Sequence, residues 1–326
     1  MTSSPFLSSP VLVVTQLDDA TADGVIEELN RRSVPVVRLD PGDFPAGVTV
    51  DARLGDVGLA GRVRTTTRAA DLGQVRSVYW RRPSPYSAPE GVDAQDSRWC
   101  VEQARYGLGG LLATLPRAHY VNHPWRNRDA EYKPAQLAAA ARSGLHVPPT
   151  LLTNNPERAR QFTCEYGPVV YKPLRNTDYS DHDGNGLTVW VEEVEPRALG
   201  AGVAQTVHLF QQCVNKVADI RLTAVGDRLF AVRIDGSPGL DWRRHYDDLG
   251  YTLIDTPSDV AEGIRTYMDA FDLTYGAFDF GLDPDGRWWW YECNPNGQYA
   301  WFPDPVTSRI TAAIADELQH SHRDTP

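Results

Sequence analysis

Hydrophobic residues in the first forty positions form two short unbroken runs with an amphipathic stretch between them. Residues 11–15 (VLVVT) are apolar up to the final threonine, the pattern of a strand buried on both faces. Residues 18–32 then set Val25, Ile26 and Leu29 at helical spacing, and residues 34–39 (VPVVRL) are strand-like again. Strand, helix, strand predicts a βαβ unit and a parallel sheet. Residues 77–80 (SVYW) read as a later strand of the same layer, followed by the loop Arg81-Arg82-Pro83. An N-terminal α/β domain is expected over residues 1–121.

The pattern then changes. Residues 131–143 form an alanine-rich helix with Pro134 near its tolerant first turn, stopped by Gly144 and Pro148-Pro149. Short strands are expected at Leu151-Leu152, 168–172 (PVVYK) and 187–191, with a helix over 157–165 capped by Asn155-Pro156-Glu157. A polar, glycine-bearing loop is expected over 176–186. This is a small α+β unit, residues 122–206. From 207 to 326 two hairpins dominate. Residues 219–225 and 228–234 alternate around Gly226-Asp227, a two-residue turn signal. With that turn, positions whose numbers sum to 453 stand opposite, so Arg221 meets Val232 and Arg233 points to the other face. A loop over 235–250, a helix near 260–271, a second hairpin (276–281 with 287–291) and a closing helix at 306–318 complete an antiparallel-sheet domain. The architecture expected is α/β and α+β in three domains.

Composition changes this picture in only two ways. A net charge of −11 argues against a general nucleic-acid or membrane surface, so any anionic ligand must meet a local basic site. Five arginines against three aspartates between Arg221 and His245 make that segment a candidate. Four cysteines without CxxC spacing point to free thiols rather than zinc or redox chemistry. The polar start at residues 1–10 and the lack of a long apolar run predict no signal peptide and no membrane span, hence the cytoplasm.

Candidate chemistry concentrates in the second C-terminal hairpin. Asp279 lies on a strand between Phe278 and Phe280, and Glu292 and Asn294, two apart on the returning strand, share a face. Three oxygen ligands converging from paired strands suit Mg²⁺ bridging nucleotide phosphates. With Glu292-Cys293-Asn294-Pro295-Asn296 the chain resembles the ATP-grasp superfamily. The resemblance implies ATP and Mg²⁺ as cofactors, with Asp279, Glu292 and Asn294 on the metal. It implies Lys133 and Lys172 facing the phosphates and Gly184 and Gly186 in a loop closing over them. It sets Gln211, Gln212, Cys213 and Val214 at the adenine hinge, with Lys216 beside it. Arg221, in Asp219-Ile220-Arg221, would stabilise the transferring phosphoryl group or hold the acceptor carboxylate, followed in rank by Arg243 and Arg233.

A narrower resemblance spans most of the chain. Tyr79-Trp80-Arg81-Arg82-Pro83, Asn122-His123-Pro124, Lys133-Pro134-Ala135-Gln136-Leu137, Gly144-Leu145-His146-Val147-Pro148-Pro149-Thr150 and Asp241-Trp242-Arg243 are similar to ATP-grasp maturases of ribosomally made peptides, the microviridin or graspetide type. It implies an ADP-forming ligase acting on a precursor peptide with a leader. An Asp or Glu side chain becomes an acylphosphate, which a Thr or Ser hydroxyl attacks to give an ester, or a Lys amine to give an amide. It allows a homodimer. A RimK-like or glutathione-synthetase-like ligase, joining an amino acid to a small molecule or protein tail, is the alternative that shares the ATP and metal residues.

Overall fold

The computed structural model describes residues 9–56, 58–175, 179–236, 239–244 and 249–319. Parts of the N-terminal stretch 1–10, of the loop 176–186 and of the loop 235–250, His245 included, lie outside the described residues.

In the first unit, β1 (Val11–Val14) is wholly buried, as its unbroken apolar run requires. α1 (Ala20–Arg31) begins where the Asp19 carboxylate accepts the Ala22 amide at 3.3 Å, and it buries Val25 and Leu29. β2 (Val36–Leu39) follows. A three-stranded antiparallel layer comes next: β3 (Thr49–Gly55), β4 (Gly58–Arg64) and β5 (Ala69–Asp71). Then come β6 (Ser77–Trp80), α2 (Ala94–Leu112) and β7 (His119–Val121). The parallel sheet has the order β2-β1-β6-β7.

The middle of the chain runs α3 (Pro124–Ala130), α4 (Lys133–Arg142), β8 (Thr150–Thr153), α5 (Pro156–Tyr166), β9 (Val169–Lys172), β10 (Tyr179–Ser180), β11 (Gly186–Leu187), β12 (Glu192–Glu193) and β13 (His208–Gln212). Its sheet is antiparallel, in the order β12-β9-β13-β8. The boundary expected at 206 therefore falls short, because β13 is an inner strand of this sheet. The strand expected over 187–191 is reduced to the Gly186–Leu187 pairing.

The last unit contains β14 (Ala218–Val225), β15 (Arg228–Asp235), β16 (Gly250–Ile254), α6 (Ser258–Phe271), β17 (Tyr275–Leu282), β18 (Trp288–Asn294) and α7 (Asp304–Gln319). Its five strands lie in the order β16-β15-β14-β17-β18, all antiparallel. Gly226 takes a φ of +53°, which lets β14 turn in two residues, and Arg221 pairs with Val232 while Arg233 pairs with Ile220. α6 covers one sheet face, packing Ile264 and Tyr267 with Leu222, Phe278 and Trp290. On the other face, Ile310 and Ile314 of α7 cluster with Val225 and Tyr275 of this sheet and with Val11, Val13 and Leu29 of the first unit. Among the described residues no helix is long and apolar enough to cross a membrane.

Candidate active site

A charged row crosses three adjacent strands. Arg221 on β14 stands opposite Asp279 on β17, and Asp279 stands opposite Glu292 on β18. Strict alternation would send Trp290 and Glu292 to the same side. One extra residue in β18, Tyr291, breaks the register: Phe280 meets Trp290, yet Asp279 meets Glu292. That bulge buries Trp290 in the apolar cluster and turns Glu292 towards Asp279. Arg221 Nη1 donates to both Asp279 carboxylate oxygens at 2.8 Å. A Cβ on Gly297 would come within 2.8 Å of Arg221 Nη2 and 2.4 Å of Ala277 Cβ, so only glycine allows this approach.

Lysines from two further elements complete the cluster. Lys133, the first residue of α4, donates to Glu292. Lys172, the last residue of β9, donates to Gln211 Oε1 at 2.9 Å and lies 4.4 Å from the centroid of the Tyr291 ring. Burial lowers the Lys172 ammonium to about 8, and Lys133 adds to the effect while Glu292 opposes it. Burial pushes the Glu292 carboxyl up, but Lys133 and then Lys172 outweigh it and hold the group below the usual carboxylate range.

These groups form one end of a cleft of about 380 Å³ between the central and C-terminal sheets. Lys133, Lys172, Asp279, Glu292 and Arg243 all line it, as do Gln211, Gln212, Cys213, Val214 and Lys216 along the other wall. Both glutamine amides are already engaged: Gln211 Nε2 donates to Thr150 Oγ1 at 2.9 Å while its Oε1 accepts from Lys172, and Gln212 Nε2 donates to the Tyr166 carbonyl at 3.2 Å. Arg243 grips the buried Asp241 with two nitrogens at 2.8 and 2.7 Å. Burial works against its charge, and Asp241, with Asp279 and Glu292, more than restores it.

Five expected residues do not line the cleft. Arg221 is buried behind Asp279. Asn294 ends β18, exposed, its Oδ1 accepting the Asn296 amide at 2.9 Å. Gly184 and Gly186 are exposed in the hairpin region of β10 and β11, and residues 188–191 line the cleft in their place. Arg233 lies on the opposite sheet face, paired with Asp235 at 2.9 Å.

Asp279 and Glu292, hard oxygen donors on neighbouring strands, fit a Mg²⁺ ion that takes two carboxylates and completes its shell with phosphate oxygens and water. Among the described residues no three His, Cys, Asp or Glu side chains converge, so the protein alone would not fill the shell.

Several residues quoted above only for their motifs hold this site in place. Asn122 Nδ2 donates to the carbonyls of Tyr275 and Pro295 at 2.8 and 3.1 Å, and its Oδ1 accepts the amides of Thr274 and Tyr275, each at 2.8 Å. Gln136 Nε2 donates to the Cys293 carbonyl at 2.8 Å and its Oε1 accepts the Cys293 amide at 3.2 Å. The Trp290 amide donates to the His146 carbonyl at 2.7 Å, so β18, though last in its sheet, has its outer edge covered. Arg81, buried at the end of β6, donates to the Asn296 carbonyl. Asn122, Gln136 and Arg81 therefore fasten Glu292-Cys293-Asn294-Pro295-Asn296 from three directions.

Residues 10–128 match the family described as the MvdD pre-ATP grasp domain. A RiPP-associated ATP-grasp ligase from Chryseobacterium gregarium, solved with ADP and a leader and core peptide, superposes with a TM-score of 0.88. It shares 24% identity, over 98% of each chain. The macrocyclase MdnC of Microcystis aeruginosa, bound with precursor peptide MdnA, gives a TM-score of 0.84 and 28% identity, covering 94% of this chain and 98% of that one. The ATP-grasp ligase PsnB, complexed with minimal precursor, Mg and ADP, gives 0.73 and 22%, covering 96% and 98%. No curated protein matches. Fold and site together define an ATP-grasp ligase. Its architecture resembles that of the RiPP-associated ligases and macrocyclases.

Proposed function

We propose that this ligase uses ATP to close side-chain rings in a ribosomally made, leader-bearing precursor peptide. The observation that carries the reading is the cleft end where Lys133 and Lys172 meet Asp279 and Glu292, with Arg243 on the adjoining wall. A carboxylate is a poor acyl donor because its leaving group is poor, and phosphorylation supplies a good one. An Asp or Glu oxygen of the peptide attacks the γ-phosphorus and ADP leaves. A Thr or Ser oxygen, or a Lys nitrogen, then attacks the acyl carbon; inorganic phosphate leaves and the nucleophile's proton is lost. The protein supplies positioning and charge neutralisation, as in other phosphoryl transfers.

Lys133 and Lys172 face the phosphates as compact positive charges. Main-chain groups at Cys213 and Val214 meet the base, since both glutamine side chains are committed elsewhere. Asp279 and Glu292, with Asn294 beside them on β18, would hold Mg²⁺, which when bound would neutralise negative charge on the phosphates. Arg221 holds Asp279 in place. Arg243 presents a planar fork to the peptide's carboxylate, exchanging Asp241 for it. Such an enzyme works in the cytoplasm, beside the ribosomes that make its substrate.

The test is intact mass and nucleotide analysis with ATP, Mg²⁺ and the precursor encoded nearby. Each ring should cost one water and form at least one ADP, and removal of the leader should stop the reaction. AMP with pyrophosphate would sink the mechanism. Turnover only on adding a free amino acid would favour the RimK-like alternative.

A further inference from the structure

Lys216 lines the cleft where a nucleotide-facing lysine was expected, yet its ammonium has no donor to offer a phosphate. An ammonium has three N–H bonds to give. Those of Lys216 meet both oxygens of Asp219, each at 2.7 Å, and the Leu240 carbonyl at 2.9 Å. Asp219 is 5% exposed and fixed in β14 opposite Gly281. Leu240 belongs to the short segment that carries Asp241 and Arg243. In that segment Trp242 is buried, its ring 4.8 Å from that of Trp301. One side chain thus ties the chain leaving the hinge to the loop that carries Arg243.

The tie is also a wall. Cys213, Val214, Lys216, Asp219 and Leu240 border both the main cleft and a second cavity of about 550 Å³ on its outer side. We infer that Lys216 is a positioning residue that latches residues 239–244 against the hinge and closes the cleft from the outer cavity. The inference rests on the acylphosphate reading for its functional consequence. An acylphosphate has two competing nucleophiles, the peptide's own hydroxyl or amine and water. Attack by water at the acyl carbon releases phosphate and restores the carboxylate, so one ATP becomes ADP and phosphate without a ring. A rear wall that excludes water keeps ATP use tied to ring closure. Lysine suits the task because a compact ammonium reaches two carboxylate oxygens and a carbonyl at once, where a planar guanidinium has a fixed fork.

The experiment compares wild type with Lys216→Met and with Lys216→Met/Asp219→Asn, the second removing both charges so that no buried carboxylate is left unpaired. ADP and intact mass are measured in one reaction, ATP affinity by direct binding, and loop opening by the rate of tryptic cleavage after Arg243 and Arg244. ADP formed per water lost should rise about threefold or more as water gains entry. Cleavage should quicken about tenfold, since proteolysis follows the open population, with ATP affinity held within about twofold. An ATP affinity about tenfold weaker with an unchanged ADP-to-water ratio would make Lys216 a nucleotide ligand and overturn the latch. An unchanged ratio and cleavage rate in folded protein would overturn it as well. Failure of the macrocyclase reading shows separately, as absence of rings in the wild type, while trypsin still reports on the latch.

Discussion

Arg221 and Asp279 face each other across β14 and β17 with one guanidinium nitrogen 2.8 Å from both carboxylate oxygens. The arginine is 7% exposed and among the described residues pairs in contact with Asp279 alone, so each ion answers chiefly for the other's burial. Burial opposes the charge on Arg221 and Asp279 more than offsets it.

Removing one member should therefore be worse than an ordinary surface change. Arg221→Met should lower unfolding free energy by about 3–5 kcal/mol, the range for stranding a buried charge. Arg221→Lys should lose less. Denaturant unfolding measures both, and an unchanged midpoint in Arg221→Met would refute the pairing's importance.

Asn294 is exposed, and its mutation tests chemistry apart from folding. Asn294→Ala should change stability by less than about 0.5 kcal/mol yet lose product. Glu292→Gln should also lose product, and by removing a nearby negative charge it should lower the Lys172 ammonium further. Full turnover at saturating ATP in both variants would take the metal away from these residues.

Lys172 gives ATP binding a pH dependence of definite sign. Phosphate favours the ammonium, so affinity should be flat below about 8 and fall as pH rises through it, by up to about tenfold per unit. Stability moves the other way. Between about 8 and the ordinary 10.5 the unfolded chain holds a proton that the folded chain lacks, so the unfolding free energy rises with pH. Lys172→Arg should flatten the affinity profile, because a guanidinium stays charged throughout. Nucleotide titrations across this range decide it, and a wild-type profile flat through about 8 would remove Lys172 from the phosphates.

Arg243 and Arg233 form a matched pair for mutation, one in the cleft and one on the far face. Arg243→Ala should reduce kcat/KM for the precursor about tenfold or more, with Arg243→Lys only partly restoring it because the fork is lost. Arg233→Ala removes a partly exposed pair with Asp235 and should cost at most about 1 kcal/mol in stability, with turnover unchanged. Equal effects on precursor kinetics would contradict the face assignment.

Much of this was legible because it is local. A glycine-first two-residue turn and strict alternation set the β14–β15 register, which is why Arg221 and Arg233 separate as their numbers predict. The bulge at Tyr291 was not legible, since an extra residue leaves no mark in composition and shows only against the partner strand. Asn122 and Gln136 stand in the quoted motifs, yet their bracing role is not legible because their partners lie about 150 residues away, beyond any periodicity. β3–β5 escaped notice for a different reason: β3 is largely solvent-facing and carries no clean apolar run. α2 was missed because only Ala104, Leu108 and Leu112 of its length are buried, too sparse a stripe to stand out. The loop glycines were expected over the phosphates on motif alone, and a motif does not say where a hairpin leans.

The helix α7 has a consequence for how the chain comes to be folded. Val11 and Val13 share their apolar cluster with Ile310 and Ile314, residues about 300 positions later, so β1 is completed by a helix made long after it. While the chain is being synthesised, one face of the first sheet must wait uncovered until residues 304–319 emerge. Shielding by a chaperone is worth most in that interval, while β1 and its neighbours still show an apolar face.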